Sequence, residues 1–161
     1  MHNDVKEVLF SAEELKKIVE RVGAQITKDY AGKNLLLVCV LKGSVCFMAD
    51  LMRAVELDCK IDFMDAKSYG SSTVTNGVVS ISRDLNYDIS DYDILIVEDV
   101  IDSGITLSYL KEHFKEKNAS SVKICTLLDK PEKHSSQITA DYIGKTIPDE
   151  FVVGYGLDYN E

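Results

Sequence analysis

The sequence predicts an α/β fold with a mainly parallel central sheet flanked by helices, and three observations predict it. Leu35–Leu41 and Ile94–Val97 are apolar at every position, as strands covered on both faces are. Each runs into a short polar, glycine-containing stretch. Apolar residues at helical spacing then follow each stretch, and strands alternating with helices build parallel sheets.

In chain order, Ser11-Ala12-Glu13-Glu14 reads as a capping box, and Leu15, Ile18, Val19, Val22 and Ile26 mark one helical face that ends near Gly32. Strand Leu35–Leu41 is stopped by Lys42-Gly43-Ser44, and Met48, Leu51, Met52 and Val55 mark a second helix. Ile61–Ala66 reads as a strand and Ser68–Thr73 as a mobile polar loop, with Val78–Ser82 returning as a strand. After Ile94–Val97, a third helix is marked by Leu107, Leu110 and Phe114; Ile124–Leu128 and Phe151–Val153 complete the predicted strands.

The 161 residues suit one domain spanning 1–161, and 45% hydrophobic residues suffice for one sizeable core. Lys and Arg number 18 against 27 Asp and Glu, a formal charge of −9. That excess repels phosphate polymers and anionic membranes, and no basic patch offsets it, so neither nucleic acid nor membrane is an expected partner. The N-terminus lacks the apolar core of a signal peptide, and the seven apolar residues Leu35–Leu41 cannot span a bilayer. Cys39, Cys46, Cys59 and Cys125 form no CxxC pair and read as reduced core thiols, which predicts a cytoplasmic protein. His2, His113 and His134 show no metal-ligand spacing and are expected to be solvated or packing residues. GxSxG, Walker and dinucleotide-binding motifs are absent from the sequence.

The most informative stretch is Ile94 to Thr106. Ligands of open α/β sheets bind at the carboxyl ends of strands, where Glu98 and Asp99 fall. Adjacent acids there can hold a sugar diol or hydrated Mg²⁺, since both need several oxygen acceptors. Asp102 can face the same cavity. Ser103-Gly104-Ile105-Thr106 then opens a helix: glycine permits close backbone approach, two hydroxyls donate, and the helix N-terminus favours an anion. Helix capping alone needs one acid or hydroxyl, whereas this stretch carries three carboxylates and two hydroxyls. The combination suits a phosphorylated sugar.

Val97-Glu98-Asp99-Val100-Ile101-Asp102-Ser103-Gly104-Ile105-Thr106 resembles the diphosphoribosyl-binding signature of type I phosphoribosyltransferases. Leu41-Lys42-Gly43-Ser44 resembles that family's pyrophosphate loop, and Lys67-Ser68-Tyr69 the start of its flexible catalytic loop. Lys130 and Phe151–Tyr159 are similar to the purine-site hood of hypoxanthine-guanine phosphoribosyltransferases. The similarity spans essentially the whole chain.

The resemblance implies the type I phosphoribosyltransferase fold with a small purine-binding hood formed by N-terminal and C-terminal segments. It implies transfer of a 5-phosphoribosyl group from phosphoribosyl diphosphate to N9 of a 6-oxopurine, releasing pyrophosphate. Glu98 and Asp99 would hold the ribose hydroxyls directly or through Mg²⁺, Asp102 would be the general base at purine N7, and Ser103, Gly104, Ile105 and Thr106 would cradle the 5-phosphate. Lys42 and Gly43 would meet pyrophosphate, after a peptide bond that is often cis in this family. Asp158 would anchor a second Mg²⁺. Ser68 and Tyr69 would close over the site and exclude water. Lys130 would donate to the purine 6-oxygen, which excludes a 6-amino purine; Phe151 would stack on the base and Val152 would contribute backbone groups.

Substrates would be small molecules, and the family resemblance implies a homodimer or homotetramer. Relatives continue beyond the position of Glu161 with an Arg used for pyrophosphate and a final strand, so the chain is expected to be short at its C-terminus. Two other readings compete. A non-catalytic regulator of the same fold would keep the acid cluster to sense phosphoribosyl diphosphate, without needing the Lys-Gly loop, Ser68-Tyr69 and Lys130-Phe151 together. A Mg²⁺-dependent response-regulator-like domain would leave Ser103-Gly104 unexplained.

Overall fold

The computed structural model describes residues 5–69, 78–135 and 137–157. Helices are α1 (Ala12–Asp29), α2 (Val45–Ala54) and α3 (Ile105–Glu116). Strands are β1 (Leu35–Val40), β2 (Lys60–Tyr69), β3 (Val78–Arg83), β4 (Asp93–Ile101), β5 (Ser121–Asp129) and β6 (Tyr142–Thr146). They form one sheet in the order β3-β2-β1-β4-β5-β6, in which only β3 is antiparallel to its neighbour. The α/β class with a mainly parallel sheet is as the apolar strands predict.

Alternation along β1 explains why all six of its residues are buried. Leu35, Leu37 and Cys39 join Leu95 and Val97 against Val22 and Ile26 of α1 and Phe47 and Leu51 of α2. Leu36, Val38 and Val40 join Ile94 and Ile96 on the other face, against Leu107, Leu110 and Phe114 of α3. Successive side chains leave a strand on opposite faces, so a strand between two helical layers must be apolar at both parities. Burying each such Leu or Ile side chain contributes about 1.5–3 kcal/mol.

The predicted capping box is present: Ser11 Oγ accepts from Glu14 N at 3.2 Å, and Glu14 Oε2 accepts from Ser11 N at 2.8 Å. The Ser11 N–H, foremost, and the Ser11 hydroxyl at 2.7 Å both donate to Glu14 Oε2 and hold the Glu14 carboxyl below its ordinary range.

Several expectations need correction. Phe151–Val153 is not a strand: Phe151 is 77% exposed, and the segment is followed only by an isolated bridge between Gly154 and Leu157, outside the sheet. The outer strand is instead β6, whose central Gly144 hid it from a pattern search. Gly144 is needed because a Cβ there would overlap the Leu127 carbonyl and approach Ile18 of α1 at 2.9 Å. Strand β4 runs four residues past Val97, to Ile101. Ser68 and Tyr69, expected in a loop, end β2 opposite Val79 and Val78, because β3 pairs that far along; positions 70–73 lie outside the described residues. All four cysteines are free, but only Cys39 and Cys125 are buried; Cys46 is exposed on α2 and Cys59 half-buried before β2.

Candidate active site

The chain moves from β1 to β2 on one side, while β4 lies on the other side of β1. Connections leaving in opposite directions open a crevice at the carboxyl ends of β1 and β4. Two of the predicted segments therefore meet: the Lys42–Ser44 turn after β1 and the Glu98–Thr106 stretch of β4 and α3. The Leu41-Lys42 peptide bond is cis. Ser44 is fully buried, its hydroxyl donating to the Val40 carbonyl, which pins the turn to the strand it leaves.

Glu98 and Asp99 stand side by side near the end of β4: Asp99 N donates to Glu98 Oε1 at 3.2 Å, and the two carboxyls share a hydrogen bond. Glu98 lines a cavity of about 230 Å³ together with Ser68, Asp102, Ser103, Gly104 and Thr106. Asp99 also meets the β1 turn: a Cβ placed on Gly43 would overlap the Asp99 carboxylate. Burial, reinforced by the neighbouring Asp99 charge, pushes the Glu98 carboxyl well above the usual carboxylate range.

Gly104 opens α3 with φ +75° and ψ 1°, a left-handed conformation that a residue with a side chain adopts at a cost. Gly104 itself brings no capping side chain, Ser103 Oγ accepts from Ile105 N at 3.4 Å, and the first turn holds no acid. The helix start, with its partial positive charge, lies beside the cavity that Gly104 and Thr106 line, the environment an anion favours.

Asp102 is 54% exposed and Lys130 only 6%, with Lys130 Nζ 3.0 Å from Asp102 Oδ1. Lys130 reaches Asp102 because β5 lies beside β4 with Asp129 opposite Ile101. Phe151 stays apart from the cavity, highly exposed, while Val152 packs against the α1 and α2 side of the core. Gly156 links this segment to the β1 turn: a Cβ on it would lie 3.0 Å from Cys46 Sγ and 3.1 Å from the Gly43 carbonyl oxygen. Nearby, Tyr155 Oη donates to Asp50 of α2. Asp158 lies outside the described residues.

Of the histidines, His113 packs as expected, between the Tyr109 and Phe114 rings, and both His113 and His134 also pair with an acid. His113 Nε2 is 2.8 Å from Asp84 Oδ2, and His134 Nε2 is 2.8 Å from Asp129 Oδ1. Both pairs join residues from different turns of the chain, which no motif announces. His2 lies outside the described residues. A wider cavity of about 550 Å³ beside Asn34, Met52, Leu57 and Lys60 lies at the opposite, amino edge of β1 and β2 and holds none of the predicted residues. No helix among the described residues is long and apolar enough to cross a membrane.

Residues 7–160 match the phosphoribosyl transferase domain family. A hypoxanthine-guanine phosphoribosyltransferase of Streptococcus pneumoniae is 52% identical over 161 residues, covering 100% of this chain and 89% of that one. A Staphylococcus aureus hypoxanthine phosphoribosyltransferase structure superposes with a TM-score of 0.94 at 49% identity, over 99% of this chain and 86% of the other. A hypoxanthine-guanine phosphoribosyltransferase structure from Bacillus anthracis, holding a HEPES molecule in its active site, gives 0.92 at 45% identity, over 97% and 92% of the two chains. The chain belongs to the hypoxanthine-guanine phosphoribosyltransferases, pentosyl-transferring enzymes of purine salvage.

Proposed function

We propose that this enzyme transfers the 5-phosphoribosyl group of phosphoribosyl diphosphate to N9 of hypoxanthine or guanine, giving the nucleoside monophosphate and pyrophosphate. The observation that carries the reading is the Lys130–Asp102 contact of 3.0 Å on the rim of the phosphate-favouring cavity. Purine N7 and the 6-oxygen share one edge of the base, so a neighbouring carboxylate and ammonium can serve them together.

As N9 bonds to the sugar carbon, the bond from that carbon to the diphosphate oxygen breaks and its electron pair leaves with pyrophosphate. The N7 proton passes to the Asp102 carboxylate. Lys130 donates to the 6-oxygen, and a 6-amino group in its place would leave a buried ammonium facing a donor. Ser103, Thr106 and the N–H groups opening α3 hold the 5-phosphate. Glu98 faces the sugar, where developing positive charge favours the ionised carboxylate that burial otherwise disfavours and is stabilised by it, and Asp99 supports the diphosphate turn at Gly43. Lys42 and Gly43 contact the diphosphate; Phe151 and Val152 receive the base; Ser68 and Tyr69 shield the site.

Among the described residues no group of three or more acids, histidines or cysteines could enclose a metal. Mg²⁺ is usually bound through one or two carboxylates, several waters and the substrate's own phosphates. Glu98, with Asp99 nearby and Asp158 as the second candidate, would hold it, and when bound it would neutralise charge on the leaving pyrophosphate. The enzyme is assigned to the cytoplasm, as a homodimer or homotetramer.

The test is a Mg²⁺-dependent assay with phosphoribosyl diphosphate and, separately, hypoxanthine, guanine, xanthine and adenine. Product is expected with hypoxanthine and guanine and none with adenine. Absence of nucleotide from every base would overturn the reading.

A further inference from the structure

The turn that follows β5 grips the end of β4 and the loop after it at three successive residues. Lys130 N donates to the Ile101 carbonyl at 3.1 Å, and Ser135 N donates to the Ser103 carbonyl at 3.1 Å. Ser135 Oγ adds a bond to that same carbonyl at 3.3 Å. Between them, Lys130 Nζ holds Asp102. The two ends of one turn thus fix the two ends of Ile101-Asp102-Ser103, the tripeptide that carries both the proposed base and the first phosphate-binding hydroxyl.

The turn's own curvature rests on a short 3₁₀ segment, Pro131–Lys133, closed by a 3.0 Å bond from Lys133 N to the Lys130 carbonyl and a 3.3 Å bond from His134 N to that of Pro131. His134 braces it. Its Nε2 lies 2.8 Å from Asp129 Oδ1, and because a carboxylate oxygen only accepts, that nitrogen carries the proton. Asp129 is a firm anchor: it sits opposite Ile101 of β4 and Thr146 of β6, and its carbonyl accepts from Ile147 N at 2.9 Å. The side chains of Asp129 and His134 are 8% and 16% exposed, so solvent competes little for the contact.

We infer that His134 is a positioning residue for both halves of the reaction: through Asp129 it sets the curvature of the Lys130–Ser135 turn, and through that turn the placement of Asp102 and Ser103. The inference rests on the proposed function for its consequence in catalysis, but the brace itself can be read in the free protein.

The experiment compares the wild type with His134→Ala and with His134→Gln, whose amide can still donate to Asp129. In the ligand-free protein, amide hydrogen exchange at Lys130 and Ser135 is expected to be about tenfold faster in His134→Ala and close to wild type in His134→Gln. Calorimetric affinity for inosine monophosphate should fall about fivefold in His134→Ala, KM should rise for both the purine and phosphoribosyl diphosphate, and His134→Gln should restore all three. Unchanged exchange in His134→Ala overturns the brace. Faster exchange with unaltered nucleotide affinity overturns the positioning role, leaving His134 purely structural. A wild type that binds no nucleotide overturns the proposed function instead, and exchange still decides the brace.

Discussion

The Asp99 carboxylate occupies the space that a side chain on Gly43 would need. The end of β4 and the turn after β1 are thereby packed together with no room for a methyl group, and interiors this close respond to one added carbon. Gly43→Ala must push Asp99 away or shift the Lys42–Ser44 turn, at a cost of about 1–3 kcal/mol. The expected result is a KM for phosphoribosyl diphosphate raised about tenfold, with a smaller change for the purine. Initial rates at varied concentrations of each substrate check it; equal rises for both substrates would contradict a local effect on the diphosphate side.

Asp102→Asn keeps an oxygen that accepts from Lys130, so the buried ammonium stays partnered. Its thermal midpoint should stay near that of the wild type while turnover falls about 10²–10⁴-fold, the range for loss of a general base. Turnover equal to that of the wild type would remove Asp102 from the chemistry.

Much of this site was legible in the sequence, and the parts that were not share a physical cause. The doubly apolar Leu35–Val40 marked a strand between two layers, and the Glu98–Thr106 signature marked residues that come to line one cavity. Ser11 and Glu14 marked a helix start that is bonded as expected. Each of those signals is local. The reach of β4 past Val97 is decided by pairing of Val100 and Ile101 with β5 rather than by their own identity. Strand β6 was hidden because its glycine answers to the close approach of α1. The His134–Asp129 contact crosses a turn whose shape no residue pattern specifies.

Glu98 gives a pH dependence of known sign. Burial raises its folded carboxyl above the unfolded value, so stability is fullest below the ordinary glutamate range and declines as pH rises through the interval up to the folded value. Glu98→Gln removes that decline. Ligand-free thermal melts should show the variant more stable than the wild type at neutral pH, with the curves converging as pH falls towards about 4. A variant less stable than the wild type at neutral pH would contradict this.

The opposite sign holds at Asp84. Burial alone would raise its carboxyl, but hydrogen bonds from Lys117, the Leu85 N–H and His113 outweigh it and hold the group below the usual range. Lys117 Nζ and His113 Nε2 stand 3.1 and 2.8 Å from Asp84 Oδ2. Stability from this cluster is present above the unfolded carboxylate value and is lost as pH falls through the folded one. Asp84→Asn should melt earlier than the wild type at neutral pH, and the difference should shrink below about pH 4. Melts across that range decide it.

Thiol accessibility offers a check that needs no substrate. Burial raises the thiols of Cys39 and Cys125, while Cys46 is exposed at the start of α2. Brief alkylation of the folded protein, read by mass spectrometry, should label Cys46 first and leave Cys39 and Cys125 unmodified. Early labelling of Cys125 would contradict the packing of the sheet against α1.

The close seat of Gly156 against Cys46 and the Gly43 carbonyl joins the segment carrying Phe151 and Val152 to the turn proposed for the diphosphate. Under the proposed function the two substrates therefore meet through one glycine contact within a single subunit, and thermodynamic linkage makes any coupling between them reciprocal: the factor by which diphosphate alters purine affinity equals the factor by which purine alters diphosphate affinity.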